Sequence, residues 1–244
     1  NGLHERNCVR IRNFYGSLQV NDTGEGKSLL RILVNGPIHH GSQFLAPEKK
    51  GLGTTYYGPA SGVALAIRSL PESPRRIGVI GLGAGTIAVY ARTGDTCRFY
   101  EINPAVIQVA NEEFHYLSES PGKVEVVSGD GRLALEREET QEFDALVLDA
   151  FSGDSIPTHL ITREVFALYL SRLRPGGILA VHVTNKYLDL APVVRGLADE
   201  SGIQSRLIRS GAEPTLGIYA ATWVLATANQ DILRKVDRAA VPFP

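Results

Sequence analysis

Short apolar runs rich in β-branched residues recur along the chain from about residue 76, and helix-length segments separate them. The runs lie at 77–81, 98–102, 124–127, 145–149, 178–183, 205–208 and 221–226. Runs of this length and composition predict strands, and Asn103 followed by Pro104 is typical of a helix start between two of them. Alternating strands and helices form right-handed crossovers, which give a parallel sheet covered on both faces. The pattern therefore predicts an α/β fold with a doubly wound, mostly parallel, Rossmann-like sheet.

The beginning of the chain follows a different pattern. Residues 10–20 alternate between apolar and polar positions, a turn-forming Asn-Asp-Thr-Gly-Glu-Gly sequence follows, and an apolar run resumes at 29–34. This arrangement predicts a β-hairpin. Residues 36–41 and 47–53 are rich in glycine and proline, and we interpret them as connectors.

A helix is predicted next, over residues 56–70, because Pro71 and Pro74 would end it. We therefore divide the chain into a small N-terminal β-hairpin appendage, 1–54, and a Rossmann-like domain, 55–244. In a sheet of this kind ligands bind beyond the carboxyl ends of the strands, so the residues at those ends are the candidates for a functional site.

Composition narrows the class of protein without identifying it. The chain has 244 residues, 43% hydrophobic and 21% charged, as in a packed globular domain. A formal net charge of −1 provides no basic field for a nucleic-acid backbone, so we expect no nucleic-acid partner. The two cysteines are too few for a disulfide scaffold, and no apolar stretch reaches the roughly 20 residues that cross a membrane. We therefore expect a cytoplasmic domain, and the absence of methionine leads us to expect that it was excised from a longer protein.

The charges are segregated along the chain. Thirteen of the 26 acidic residues, but three of the 25 basic ones, lie between Glu101 and Asp154. An acidic centre with basic flanks favours a cationic small ligand over an anionic one. The alternative is that several of these carboxylates merely solvate a helix and a loop.

A glycine-rich loop follows the first predicted strand of the Rossmann-like domain. Gly81, Gly83 and Gly85 let the backbone turn sharply and approach a ligand, with the amide groups of a helix N-terminus beyond. A dinucleotide fingerprint would need glycine at position 86, where this chain has Thr86. The spacing is instead similar to the nucleoside-binding loop of S-adenosylmethionine-dependent enzymes. A loop that merely joins strand to helix is the structural alternative.

Carboxylates follow the next three strands. Glu101 can accept hydrogen bonds from both hydroxyls of a ribose. Asp130, before Gly131, can accept from the amino group of adenine, although it could also merely cap the following helix. Asp149 and Asp154 lie on the loop after the fourth strand. There a carboxylate would stabilise an adenosyl sulfonium or take a proton from an attacking amine.

These residues resemble those of a spermidine synthase-type (polyamine) aminopropyltransferase domain, a variant of the class I S-adenosylmethionine-dependent methyltransferase fold. The resemblance covers about residues 10–210 and includes the β-stranded segment before the nucleotide loop. It implies that Glu101 binds the ribose, that Gly129-Asp130 is the family's Gly-Asp pair, and that Asp149 is the catalytic base. A second family aspartate falls on Ser152, and the nearest acid is Asp154.

Two further family elements are changed in this chain. The Asp-Gly-x-x-Gln hairpin element resembles Asn35-Gly36-Pro37-Ile38-His39, with His39 in place of Gln. The Tyr-His-Glu element resembles Tyr56-Tyr57-Gly58. The donor half of the family's site therefore matches better than the acceptor half.

The resemblance implies a transferase that moves an aminopropyl group from decarboxylated S-adenosylmethionine to a small amine. We expect Asp149 and Tyr57 to be catalytic, and Asp154, His39 and Tyr56 to bind the acceptor. His39 and His40 lack further ligands at metal-binding spacing, so no metal is expected. A methyltransferase that uses S-adenosylmethionine and a non-catalytic nucleoside-binding domain are the alternatives. The resemblance also implies a homodimer and a membrane-spanning segment upstream.

Overall fold

The computed structural model describes residues 6–72, 74–151 and 156–244, with the side chains of residues 6–8 excepted. The N-terminal part forms a four-stranded antiparallel sheet in the order β1-β2-β3-β4. Its strands are β1 (Arg6–Asn13), β2 (Gly16–Thr23), β3 (Leu30–Asn35) and β4 (Ile38–Phe44).

The predicted two-stranded hairpin was therefore too small. The run 10–20 is divided by a tight turn, in which the Asn13 side chain accepts a hydrogen bond from the Tyr15 amide at 3.0 Å. The connector predicted over 36–41 was also wrong. Gly36 and Pro37 make a two-residue turn, after which the chain returns as β4 and pairs with β3.

The second sheet has eight strands and carries the rest of the chain. They are β5 (Arg76–Ile80), β6 (Thr96–Glu101), β7 (Lys123–Ser128), β8 (Phe143–Leu148), β9 (Leu173–His182), β10 (Gln204–Ser210), β11 (Ala221–Thr227) and β12 (Ala240–Val241). Their order is β12-β10-β11-β9-β8-β5-β6-β7. The five strands from β7 at one edge to β9 are parallel, and β11 runs antiparallel between β9 and β10. The predicted α/β fold with a mostly parallel sheet is confirmed.

Helices cover both faces of this sheet. They are α1 (Gly62–Ser69), α2 (Pro104–Glu112), α3 (Gly131–Arg137), α4 (Arg163–Arg172), α5 (Ala191–Glu200) and α6 (Gln230–Val236). Apolar residues of α1, α2 and α6 join one buried cluster, and those of α3, α4 and α5 join another. Strand residues alternate between the clusters, as Val147 and Leu148 do on β8. In the described part of the chain, none of the helices combines the length and the apolar character needed to cross a membrane.

Two helical segments differ from the prediction, one in where it begins and one in its type. The helix predicted over 56–70 begins at Gly62, because Ser61 caps it by accepting a hydrogen bond from the Ala64 amide. Before that cap, the amide of Tyr57 bonds to the carbonyl of Thr54 in a separate turn. The segment after Gly85 is a short 3-10 helix, Thr86–Tyr90, rather than an α-helix.

The N-terminal sheet packs onto the larger sheet and its helices. Leu18, Val20 and Leu33 are buried in the same cluster as α1 and α2. The guanidinium of Arg31 binds the carboxylate and the carbonyl of Glu113, each at 3.1 Å. This packing brings β4 over the carboxyl ends of the parallel strands. The boundary between residues 54 and 55 stays a prediction.

Candidate active site

A cavity of about 580 Å³ lies between β4 and the carboxyl ends of the parallel strands. Most of the residues singled out from the sequence line it. They are His39, Tyr56, Tyr57, Gly81, Gly83, Glu101, Asp130, Gly131 and Asp149. Gly85 does not line the cavity, and Asp154 lies outside the described residues. The separate strand ends therefore meet in one cavity, at the position where open α/β sheets bind ligands.

The loop after β5 has no space for side chains at two of its glycines. Gly81 has a φ of +97°, and a Cβ there would lie 2.3 Å from the carbonyl oxygen of Asp149. Gly83 has a φ of +53°, and its Cβ would lie 2.4 Å from the carbonyl oxygen of His40. Gly85 faces the side chain of Leu117, behind the loop. Gly81 and Gly83 therefore let the loop pass between the end of β8 and β4, and Gly85 lets the loop pack closely against Leu117.

Glu101, the last residue of β6, is buried and fixes this loop. Its Oε2 accepts a hydrogen bond from the Leu82 amide at 3.0 Å, and its Oε1 accepts one from the Asn103 amide at 2.8 Å. Burial raises the pKa of Glu101, and the hydrogen bonds from these amides oppose the rise. A carboxylate has about four acceptor positions, so both oxygens can still accept hydrogen bonds from a ligand.

Asp130 has a structural contact and a cavity position at the same time. Its Oδ1 accepts a hydrogen bond from the Leu133 amide at 3.0 Å and caps α3, which is the capping role considered for Asp130 in the sequence analysis. Its Oδ2 lies 3.3 Å from Nε2 of His159, which also lines the cavity. Capping uses one oxygen and leaves the side chain at the cavity wall.

Asp149 lies where two polar side chains converge. The hydroxyl of Tyr57 donates to its Oδ2 at 2.7 Å, and Nδ1 of His182 lies 2.6 Å from its Oδ1. The Asp149 side chain is 9% exposed. Burial, together with the Asp149 carboxylate, raises the pKa of Tyr57 well above its ordinary value of 10. Tyr57 therefore remains a hydrogen-bond donor throughout the physiological pH range.

Sequence reasoning missed His182. It is the last residue of β9, and its ring stacks on that of Trp223 at 4.3 Å with an interplanar angle of 9°. Its Nε2 lies 2.7 Å from the hydroxyl of Thr184. A polar residue that ends an apolar parallel strand is a detectable signal, because it obeys the rule that identified Asp149.

Tyr219 was missed as well, because it reaches the site through a distant backbone contact. Its amide bonds to the carbonyl of Thr55 at 2.8 Å, which fixes the segment after β10 beside the cavity. Its hydroxyl lies 2.7 Å from Nδ1 of His39, and its ring contacts that of Tyr56 at 5.6 Å. Neither Tyr219 nor Thr55 carries a local sequence signal for the long-range backbone contact between them.

His40 differs from its neighbour His39 in having a buried Nε2 without a hydrogen-bond partner among the residues the structure describes. Burial lowers its pKa from 6.5, although Asp149 opposes the shift. His40 is therefore uncharged at neutral pH. The described residues contain no group of three or more His, Cys, Asp or Glu side chains that could hold a metal ion.

Comparison with known proteins shows which proteins the chain is similar to in sequence. No family model matches it. It is 32% identical to a polyamine aminopropyltransferase of Vibrio vulnificus over 142 residues, which are 54% of this chain and 46% of that protein. It is 26% identical to a probable polyamine aminopropyl transferase of Bifidobacterium longum over 174 residues, which are 69% of this chain and 35% of the relative.

A third relative belongs to another class of transferase. Putrescine N-methyltransferase 2 of Nicotiana tabacum is 27% identical over 133 residues, which are 52% of this chain and 37% of that protein. The matches thus span less than half of the length of each of these relatives.

Solved structures agree with these relatives on the fold. The spermidine synthase of Thermotoga maritima superposes with a TM-score of 0.66 and 14% identity, over 98% of this chain and 80% of that one. A spermidine synthase in complex with the transition-state analogue AdoDATO gives a TM-score of 0.68 and 15% identity, over 98% and 81% of the two chains. The chain therefore shares the fold of these spermidine synthases. In sequence the chain is similar to polyamine aminopropyltransferases, which agrees with the resemblance seen in the sequence.

Proposed function

We propose that this chain transfers an aminopropyl group from decarboxylated S-adenosylmethionine to a small amine, with Asp149 as the general base. The observation that carries this proposal is the convergence of the glycine loop, Glu101, Asp130 and Asp149 on one cavity. Its volume of about 580 Å³ lies within the range of small-molecule sites. The relatives named as polyamine aminopropyltransferases support the same reaction class.

In this proposal the donor lies along the carboxyl ends of β5 to β8. The free acceptor positions of Glu101 bind the ribose hydroxyls, and Asp130 accepts from the amino group of adenine. Gly81 and Gly83 let the backbone approach the nucleoside closely. The sulfonium then faces Asp149, whose negative charge stabilises it.

The chemical step needs a deprotonated nucleophile. An alkylamine is protonated at neutral pH, because its pKa is near that of lysine, about 10.4. Asp149 takes the proton, the nitrogen lone pair forms a bond to the propyl carbon, and the carbon–sulfur bond breaks. Its electron pair stays on sulfur and yields neutral methylthioadenosine. Tyr57 cannot replace Asp149 as the base, because its raised pKa keeps its hydroxyl protonated.

The charges around the cavity favour the decarboxylated donor. Glu101, Asp130 and Asp149 supply three carboxylates, and His40 is uncharged. Among the described residues that line the cavity, the exposed Lys186 is the single lysine or arginine. The additional carboxylate of S-adenosylmethionine would therefore enter an acidic cavity with one cation at its rim. Methyl transfer is the second candidate, and the similarity to putrescine N-methyltransferase supports it.

The test is a screen of both donors against a panel of di- and polyamines, read by mass spectrometry. Product mass identifies the transferred group directly. We expect aminopropylated products, which disappear in Asp149→Asn and persist in the matched control Asp199→Asn, on the exposed face of α5. Methylated products would refute the choice of donor. Donor binding without turnover on any amine would instead indicate a non-catalytic nucleoside-binding domain.

A further inference from the structure

We propose that His182 is a positioning residue for Asp149, and that it donates its Nδ1 hydrogen to the carboxylate and holds it in one orientation. This inference rests on the function proposed above, because it concerns the same carboxylate. It adds a residue for which this sequence gave no motif, and it assigns that residue a role distinct from that of the base.

The partner of each ring nitrogen determines which of the two carries the hydrogen. Nδ1 of His182 lies 2.6 Å from Oδ1 of Asp149, and a carboxylate oxygen accepts hydrogen bonds. The hydrogen of a neutral ring therefore lies on Nδ1, and Nε2 accepts from the Thr184 hydroxyl at 2.7 Å. The Thr222 amide donates to the same hydroxyl oxygen at 2.8 Å and holds it in place.

Packing keeps the ring of His182 in this orientation. The ring is stacked on Trp223, which is fully buried, and Phe151 contacts another side at 5.0 Å between centroids. Trp223 in turn lies against α1, where a Cβ at Gly62 would come within 2.3 Å of the Trp223 Cβ. Trp223 therefore cannot shift toward α1, and it provides a fixed surface for the imidazole.

His182 is poorly placed to be the base itself. It is 2% exposed, and both of its nitrogens are already hydrogen bonded. Asp149 keeps free acceptor positions on both oxygens, one of which is bonded to His182 and the other to Tyr57. With one donor on each oxygen, the plane of the carboxylate is fixed toward the cavity.

Other ionisable groups also face Asp149. Tyr57, with Tyr56 beside it, approaches from the segment before α1, and His40 approaches from β4. Tyr57 stays protonated and His40 stays uncharged near neutral pH, as their shifted pKa values require. Among these described neighbours, His182 and Tyr57 are therefore the donors that orient the carboxylate.

The experiment compares two replacements of His182 that separate its donor from its ring. His182→Phe keeps an aromatic ring on Trp223 and removes both nitrogens, whereas His182→Asn restores an N–H near the position of Nδ1. We expect His182→Phe to lower kcat by about 10- to 100-fold, since a hydrogen bond to a charged group is lost. KM for the donor should change little.

His182→Asn should recover part of kcat. If His182→Phe does not fold, Thr184→Val keeps the ring and removes the hydroxyl that orients it, and the same loss of kcat with little change in KM is expected at smaller amplitude. Unchanged kcat in the folded variants would overturn the role of His182 while leaving the proposed function intact. Wild-type turnover by Asp149→Asn would overturn the proposed function itself.

Discussion

Substituting Gly83 by alanine tests how the glycine loop is held against β4. Gly83 has a φ of +53°, and an alanine in the left-handed region costs about 1–2 kcal/mol. In addition, the new Cβ would lie 2.4 Å from the carbonyl oxygen of His40, a backbone atom that cannot rotate away. Forcing an extra methyl group into such a space costs a further ~1–3 kcal/mol.

Gly202 provides a matched control. Its φ is +70°, and a Cβ there meets nothing within 4 Å. Gly202→Ala therefore carries the left-handed strain without the overlap, and its free energy of unfolding should fall by only about 1–2 kcal/mol. The free energy of unfolding that Gly83→Ala loses beyond the loss in Gly202→Ala measures the cost of the overlap with β4.

Two assays read this comparison. Urea denaturation gives the free energy of unfolding, and calorimetric titration with decarboxylated S-adenosylmethionine gives donor affinity. We expect Gly83→Ala to lose about tenfold or more in affinity, because a displaced loop loses hydrogen bonds to the nucleoside. Gly202→Ala should bind normally. Equal stability losses together with normal binding by Gly83→Ala would refute this account of the loop.

Three further predictions concern buried ionisable groups. Arg75→Met should lower the free energy of unfolding by about 3–5 kcal/mol, because it leaves the fully buried Asp95 carboxylate without its cation; urea denaturation showing a loss below about 1 kcal/mol would contradict this. Burial raises the pKa of Cys97 to about 12, so in Cys8→Ser iodoacetamide should label the unfolded chain and spare the native one; equal labelling rates would disprove it. Burial lowers the pKa of His40, so between its folded and unfolded values the unfolded chain binds more protons and stability falls as the pH drops through 6.5. His40→Gln should reduce that fall in urea titrations at about pH 5.5 and 7.5, and an unchanged pH dependence would contradict the assignment.

The sequence predicted the parts of the fold and site that depend on local pattern. Apolar runs identified the parallel strands, and parallel strands bring their carboxyl ends together whatever residues connect them. For that reason Gly81, Glu101, Asp130 and Asp149 could be assigned to one edge of the sheet. Their roles toward a ligand stay predictions.

The remaining features depend on contacts between distant segments. The glycine and proline at 36 and 37 signal a turn, but they do not reveal that the next residues form a strand above the cavity. Tyr219 reaches the site because its segment pairs with Thr55, 164 positions earlier, which no local pattern encodes. His182 was missed for a different reason. It ends β9, but the predicted apolar run 178–183 placed it inside the strand, so the strand-end rule was not applied to it. The expected homodimer stays a prediction.

In the proposed function the cavity holds the nucleoside of the donor, with its sulfur beside Asp149. The most direct test is a crystal structure of the protein with methylthioadenosine. We expect the ribose hydroxyls within hydrogen-bond distance of Glu101, the adenine amino group at Asp130, and the thioether facing Asp149. A nucleoside bound elsewhere, or bound here in the reverse orientation with its sulfur away from Asp149, would contradict it.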